Sequence, residues 1–156
     1  MKHLIIHGDP RSGKSLFIKN LLIADNYYAI DGRKTKVFQD SIHWQMTSKD
    51  KNIQVLWFHD VNHQVSTDLL ISLTERIKIN PKAETPFYIK PILVIEFEQE
   101  IENLSKDKSL TYRFDIINTN TIKEHKQKIQ KKTPQFKHVF IHTNTKKLAA
   151  FSIMSE

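Results

Sequence analysis

Residues 8 to 15 read Gly8-Asp9-Pro10-Arg11-Ser12-Gly13-Lys14-Ser15, an ungapped match to G-x-x-x-x-G-K-[ST]. An apolar run, His3-Leu-Ile-Ile-His7, precedes it, and a run with helical spacing follows. This order, strand then glycine loop then helix, is the context the pattern needs. Gly8 and Gly13 allow backbone shapes that a side chain would forbid. Successive N–H groups can then point inward as a nest for an anion. The helix that begins near Lys14 adds the positive end of its dipole. Lys14 is expected to reach the β- and γ-phosphates of a nucleotide, and the Ser15 hydroxyl to ligate Mg²⁺. The chain holds three glycines, and two of them stand at the required places. In so glycine-poor a chain a chance match is correspondingly rarer.

Beyond the loop, strand and helix patterns alternate. Residues 3 to 7 read as a buried strand and 14 to 23 as a helix with Leu16, Phe17, Leu21 and Leu22 near one face. Residues 27 to 30 read as a strand stopped by Asp31-Gly32, 38 to 47 as a helix, and 53 to 59 as a strand of high β-propensity. A helix is expected over 64 to 74. Short extended pieces follow at 77–79 and 87–89 around the turn Asn80-Pro81-Lys82. Strands are expected at 91–97, with Pro91 at its first position, at 112–117 and at 138–142. Residues 121 to 132 read as a basic helix. The fold class expected is α/β, a three-layer α-β-α P-loop NTPase domain with a mainly parallel central sheet. One domain is expected over 1–156, with a core at about 3–118, the basic helix and final strand at 121–143, and a tail at 144–156.

Composition narrows the setting. With 156 residues, 39% of them hydrophobic, the chain can bury a sizeable core. It has no cysteine, which excludes disulfides and thiolate metal sites. No apolar run approaches the roughly 20 residues that span a bilayer, so a soluble, cytoplasmic protein without a membrane partner is expected. The formal net charge is +7, and residues 121–147 carry all of it, with eight lysines against Glu124. That segment, with Lys126, Lys128, Lys131 and Lys132, is either a solvated lysine surface or a patch for a polyanion such as nucleic acid.

The strand at 53–59 leads into His59-Asp60. An acid at the end of such a strand holds Mg²⁺ or positions the attacking water in nucleotide hydrolysis, which makes Asp60 the candidate. The alternative is that Asp60 caps the following turn. His59 and His63 are four apart, but no third ligand is evident for a zinc site.

In the order of its parts the chain resembles the superfamily 3 helicase-type ATPases within the AAA+ group, found in replication proteins of phages, small DNA viruses and mobile elements. The similarity covers about residues 3–118. His59-Asp60-Val61-Asn62 looks like the family's Asp-Asp pair. Arg76 to Lys82 through Phe87 to Pro91 looks like its DNA-contacting β-hairpin, which makes Lys78 and Lys82 candidate DNA contacts or solvated turn lysines. Ile92 to Phe97 looks like the sensor strand, and Tyr112-Arg113-Phe114-Asp115-Ile116-Ile117 like the arginine-finger segment. Two departures stand out. His59 occupies the place of the first acid, and the sensor strand runs Glu96-Phe97-Glu98 where asparagine is usual, which leaves Glu98 as the group that could position a water. The resemblance implies that Arg113 reaches the γ-phosphate of a neighbouring subunit, which requires a homo-oligomer; otherwise it pairs with a nearby surface acid.

Three functions are compatible with these residues. The first is a DNA-dependent ATPase of the replication-helicase type using ATP and Mg²⁺, acting on single-stranded or duplex DNA with a separate targeting protein. The second is a nucleotide-binding regulatory protein whose hydrolysis is weak or lost. The third is a small-molecule or nucleotide kinase, disfavoured by the four scattered arginines and the absence of an arginine-rich lid. No Asn-Lys-x-Asp guanine motif is present, which favours ATP over GTP.

Overall fold

The computed structural model describes residues 2–22, 26–33, 37–38 and 44–121. In chain order its main elements are β1 (His3–His7), α1 (Lys14–Leu22), β2 (Tyr27–Asp31), β3 (Val55–Val61), α2 (Thr67–Leu73), β4 (Ile77–Ile79), β5 (Phe87–Ile89), β6 (Ile92–Phe97), α3 (Lys108–Arg113) and β7 (Phe114–Asn118). Five strands form one parallel sheet in the order β2-β3-β6-β1-β7, and β4 and β5 pair as an antiparallel hairpin. Every residue of β1 and of β6 is buried. Continuous apolar runs suit strands covered on both faces, which is where parallel sheets put their centre.

Side chains alternate between the two faces. Leu4, Ile6, Val55, Trp57, Ile92 and Val94 meet Phe17, Ile18, Leu21 and Leu22 of α1 on one face. On the other, Ile5, Leu56, Phe58, Leu93 and Ile95 pack with Leu70 and Leu73 of α2, Leu110 of α3 and the inward residues of the hairpin. The fold is therefore α/β, with helices on both faces of a parallel sheet. Leu16 was expected on the buried stripe of α1 but is 64% exposed, and Ile18 takes its place. Phe17, Ile18, Leu21 and Leu22 recur at helical spacing, so the stripe lies one position further round.

Caps explain two further differences from the sequence reading. The Ser66 hydroxyl accepts from the N–H of Leu69 at 3.2 Å, so α2 starts at Thr67, not at 64. Asp107 accepts from the N–H groups of Ser109 and Leu110 and starts α3, which runs through residues 112 and 113 expected to be strand. β3 is shifted to 55–61 and so includes Asp60. Gly32 fits only without a side chain, because a Cβ would lie 2.5 Å from Val61 Cγ2 and 2.7 Å from the His59 carbonyl. Half of the helix expected at 38–47, residues 39–43, lies outside the described residues, and residues 45–47 are not helical. The basic helix beyond residue 121, the strand at 138–142 and Lys126, Lys128, Lys131 and Lys132 lie outside the described residues.

Candidate functional site

The loop at residues 8–15 leaves the C-terminal end of β1, which lies between β6 and β7. Gly8 has φ 147° and Gly13 φ 87°, values that favour glycine, and Arg11 between them has φ 61°. A Cβ on Gly8 would lie 2.0 Å from Thr119 Oγ1, so the close approach of β7's end adds a second reason for glycine there. Asp9, Pro10 and Arg11 are exposed, while Lys14 is buried. The Lys14 ammonium folds back on its own loop. It donates to the carbonyls of Gly8 at 2.8 Å and Asp9 at 2.7 Å, and more weakly to the Glu98 carbonyl at 3.3 Å. Burial lowers its pKa, and the carboxylates of Glu96, Asp9, Glu98 and Asp60 oppose that shift. A buried ammonium held mainly by neutral carbonyls is free to exchange them for a better acceptor, and phosphate oxygens are better.

Ser15 was expected to face a metal ion. Its hydroxyl donates to Glu96 Oε1 at 2.6 Å, and the other oxygen of Glu96 accepts from the Trp57 indole N–H at 3.1 Å. Glu96 is 2% exposed. The sequence reading passed over Glu96 and Trp57 as functional residues. The available signal was an acid inside the apolar run Ile92-Leu-Val-Ile-Glu96-Phe. Glu98, singled out instead, lies just past β6, half-buried, with its N–H on the Val61 carbonyl at 2.9 Å.

Asp60 stands at the C-terminal end of β3, where the pairing with β6 shifts register between Phe58 and Val61. Its φ is 55°, and the side chain is 47% exposed. One carboxylate oxygen lies 2.8 Å from His59 Nδ1. The carboxylate therefore sits at the rim of the loop region, reachable by water.

Residues at the end of β7 close over the loop. Asn120 Oδ1 accepts from the Asp9 N–H at 3.0 Å, and the hydroxyls of Thr119 and Ser12 are 2.5 Å apart. Nothing in the sequence marks these contacts, which join residues more than a hundred positions apart. His7, also beneath the loop, accepts from the Ile101 N–H at 3.0 Å through Nδ1, and burial lowers its pKa.

Arg113 is not part of this group. It ends α3 just before Phe114, which pairs with His3 at the opposite end of β1 from the loop. Its guanidinium donates to Thr74 Oγ1 at 2.7 Å and Glu75 Oε1 at 2.8 Å. A strand of that length separates it from its own phosphate loop by roughly 13 Å or more. Lys78 and Lys82 are exposed on the hairpin and its turn. Lys78 faces Tyr88 across the strands, and the Arg76 guanidinium lies 4.1 Å from the centre of the Tyr88 ring.

A cleft of about 950 Å³ opens between the segments that follow β3 and β6, lined by His63, Gln64, Thr67, Glu100, Asn103 and Asp107 among others, and by none of residues 8–15. Among the described residues no three His, Asp or Glu side chains gather as a metal site, and no helix is long and apolar enough to cross a membrane.

No family model matches the chain, and no curated protein matches it in sequence. A crystal structure of JCV helicase, bound to a thiazolopyridinyl-phenoxyphenyl acetamide, is similar over 84% of this chain at 11% identity and a TM-score of 0.45. This chain spans 41% of that protein's length.

Proposed function

We propose that this protein binds and hydrolyses ATP with Mg²⁺ through Gly8 to Ser15, as a DNA-dependent motor domain of the replication-helicase type. The observation that carries the reading is the phosphate loop, two glycines at positive φ around a buried lysine whose ammonium rests on loop carbonyls. The residues fit the triphosphate: two glycines at positive φ and an ammonium ready to change acceptors. Bound Mg²⁺ supplies charge neutralisation on the β- and γ-phosphates. Lys14 turns from the carbonyls of Gly8 and Asp9 to the phosphates. Asp60, solvent-reachable at the rim, orients the attacking water. Arg113, on the far edge of its own sheet, acts on the nucleotide of a neighbouring copy, so the active form is a homo-oligomer. Lys78, Lys82 and the Arg76–Tyr88 stack on the hairpin contact the backbone and bases of single-stranded DNA. A separate protein directs the assembly to its target.

The test is steady-state ATP hydrolysis by the wild-type chain and by Lys14→Ala, each with and without single-stranded DNA. The reading expects turnover that rises with DNA, falls off steeply with salt, and vanishes in the variant. DNA-independent turnover would remove the motor and keep the ATPase. One observation favours a second reading, a nucleotide-binding regulatory protein: His59 occupies the place of an acid and ties up Asp60 at 2.8 Å. That reading expects tight nucleotide binding without turnover under either condition.

A further inference from the structure

We propose that Glu96 of β6, rather than an acid at the end of β3, is the carboxylate that holds the Mg²⁺ of a bound nucleotide beside Ser15. The inference rests on the phosphate-loop reading above and names the metal-holding group of that same site.

Face parity is the first argument. Ile92 and Val94 of β6, and Val55 and Trp57 of β3, lie on the face covered by α1. Two residues further along each strand, Glu96 and His59 continue that face. Ser15 is in the first turn of α1, above the same face. The β3 position from which an acid could approach Ser15 is thus held by His59, and a hard, oxygen-seeking cation gains nothing from an imidazole. Asp60 is the next residue along β3, at φ 55° in the irregular stretch, with its carboxylate turned to His59. β6, which lies between β3 and β1, brings its own acid closer.

The second argument is the state of the Glu96 side chain. It is 2% exposed, and its oxygens accept from two neutral donors, the Ser15 hydroxyl at 2.6 Å and the Trp57 indole at 3.1 Å. Among the described residues no direct ion pair within 4 Å reaches it; the Lys14 ammonium is bonded to carbonyls and meets the Glu96 charge only through space. A buried carboxylate hydrogen-bonded only to neutral donors is stabilised further by a cation in direct contact. The hydroxyl geometry agrees. Ser15 spends its proton on Glu96, which leaves its oxygen lone pairs for a metal.

Third, Mg²⁺ bound with a nucleotide needs only one or two carboxylates, because phosphates and waters complete its shell. A lone buried acid next to the Ser15 hydroxyl meets that requirement without a preformed cluster. Glu96 acts either as a direct ligand or through a water that the ion keeps.

The experiment is calorimetric binding of a non-hydrolysable ATP analogue, with Mg²⁺ and with chelator, by wild type, Glu96→Gln, Asp60→Asn and the double variant His59→Asp/Glu96→Gln. The quantity read is the gain in affinity on adding Mg²⁺. Glu96→Gln should keep its Mg²⁺-free affinity, which also shows that it is folded, and lose about 10- to 100-fold of the gain. Asp60→Asn should keep the gain. The double variant should recover part of it, because it returns a carboxylate to the same face from β3. A full gain in Glu96→Gln, or its loss in Asp60→Asn instead, would overturn the assignment. Should Glu96→Gln lose Mg²⁺-free binding as well, Glu96→Asp takes its place: a diminished gain supports the proposal and an undiminished one refutes it. Wild-type protein that binds no nucleotide in either condition would sink the phosphate-loop reading itself, an outcome distinct from all of these.

Discussion

The two edges of the parallel sheet are built differently. At the C-terminal edge, Gly8, Arg11, Gly13, Asp60 and Asn103 all have φ between 55° and 147°. Two charged side chains, Lys14 and Glu96, are buried there on neutral partners. At the N-terminal edge several polar groups are paired. Arg113 meets Thr74 and Glu75, Lys2 donates to the Thr111 carbonyl at 3.0 Å, and His3 Nδ1 accepts from the Leu93 N–H at 2.9 Å. Among the described residues most positive-φ positions and both of these buried charges lie at the C-terminal edge, while Gln45, at φ 53°, precedes β3. Substitutions at the C-terminal edge should therefore change activity more than stability, and those at the N-terminal edge the reverse.

Arg113 is the one residue expected to break that division. Arg113→Ala should cost about 1 kcal/mol in urea unfolding, as a partly exposed ion pair and a hydrogen bond are lost. If it also serves a neighbour, turnover of the assembled protein should drop about 10³-fold or more. Mixing settles which chain it serves. Arg113→Ala has an intact loop, and Lys14→Ala an intact arginine. A mixture of these two inactive proteins should recover turnover if the arginine acts between copies. No recovery from a mixture that does assemble would confine Arg113 to its bonds with Thr74 and Glu75.

Asp60→Asn sharpens the comparison from the other edge. Its expected effect is a loss of about 10²- to 10⁴-fold in kcat, the range for a group that handles a water's proton, with the unfolding midpoint nearly unchanged. A large fall in stability with normal kcat would make Asp60 a structural residue like those at the far edge.

Local chemistry was legible in the sequence, and neighbourhood was not. The turn at residues 8–15 could be read because Gly8 and Gly13 answer a local demand for positive φ. The hairpin was legible from two short apolar pieces around Asn80-Pro81. Sheet order is non-local. The insertion of β6 between β1 and β3 brought Glu96 rather than a β3 acid to Ser15, and no spacing along the chain announces it. The irregularity that puts Asp60 at positive φ has no glycine to mark it. The contacts of Thr119 and Asn120 with the loop depend on β7 pairing next to β1.

His3 offers a pH test confined to the N-terminal edge. Burial first, then the nearby charges of Arg113 and Lys90, lower its pKa from 6.5 to about 4. The folded state thus favours neutral His3, which keeps Nδ1 free to accept from Leu93. Its contribution is complete above pH 6.5 and is lost as the pH falls from 6.5 towards 4. With part of the shift screened by solvent, the loss should be about 2 kcal/mol. Urea midpoints measured at pH 7.5 and 4.5 should converge in His3→Gln relative to wild type, because glutamine still accepts a hydrogen bond but does not titrate. An equal drop in both proteins would assign the acid sensitivity to other groups.

The smallest effect separates the two edges by sign. Asp60→Gly and Asp60→Ala both remove the carboxylate and its bond to His59, so the difference between them isolates the backbone. At φ 55° a Cβ is strained, and the glycine variant should be the more stable by about 1 kcal/mol. Tyr27 opens β2 at the other edge, with ordinary strand pairing to Val55. There the order should reverse, with alanine ahead of glycine by about 0.5 to 1 kcal/mol, since glycine gives up more conformational freedom on folding. Alanine ahead at both positions would mean that the backbone at Asp60 is no more strained than a regular strand. The concentration of strain at the C-terminal edge would then rest on the glycines of the loop and lose its β3 component.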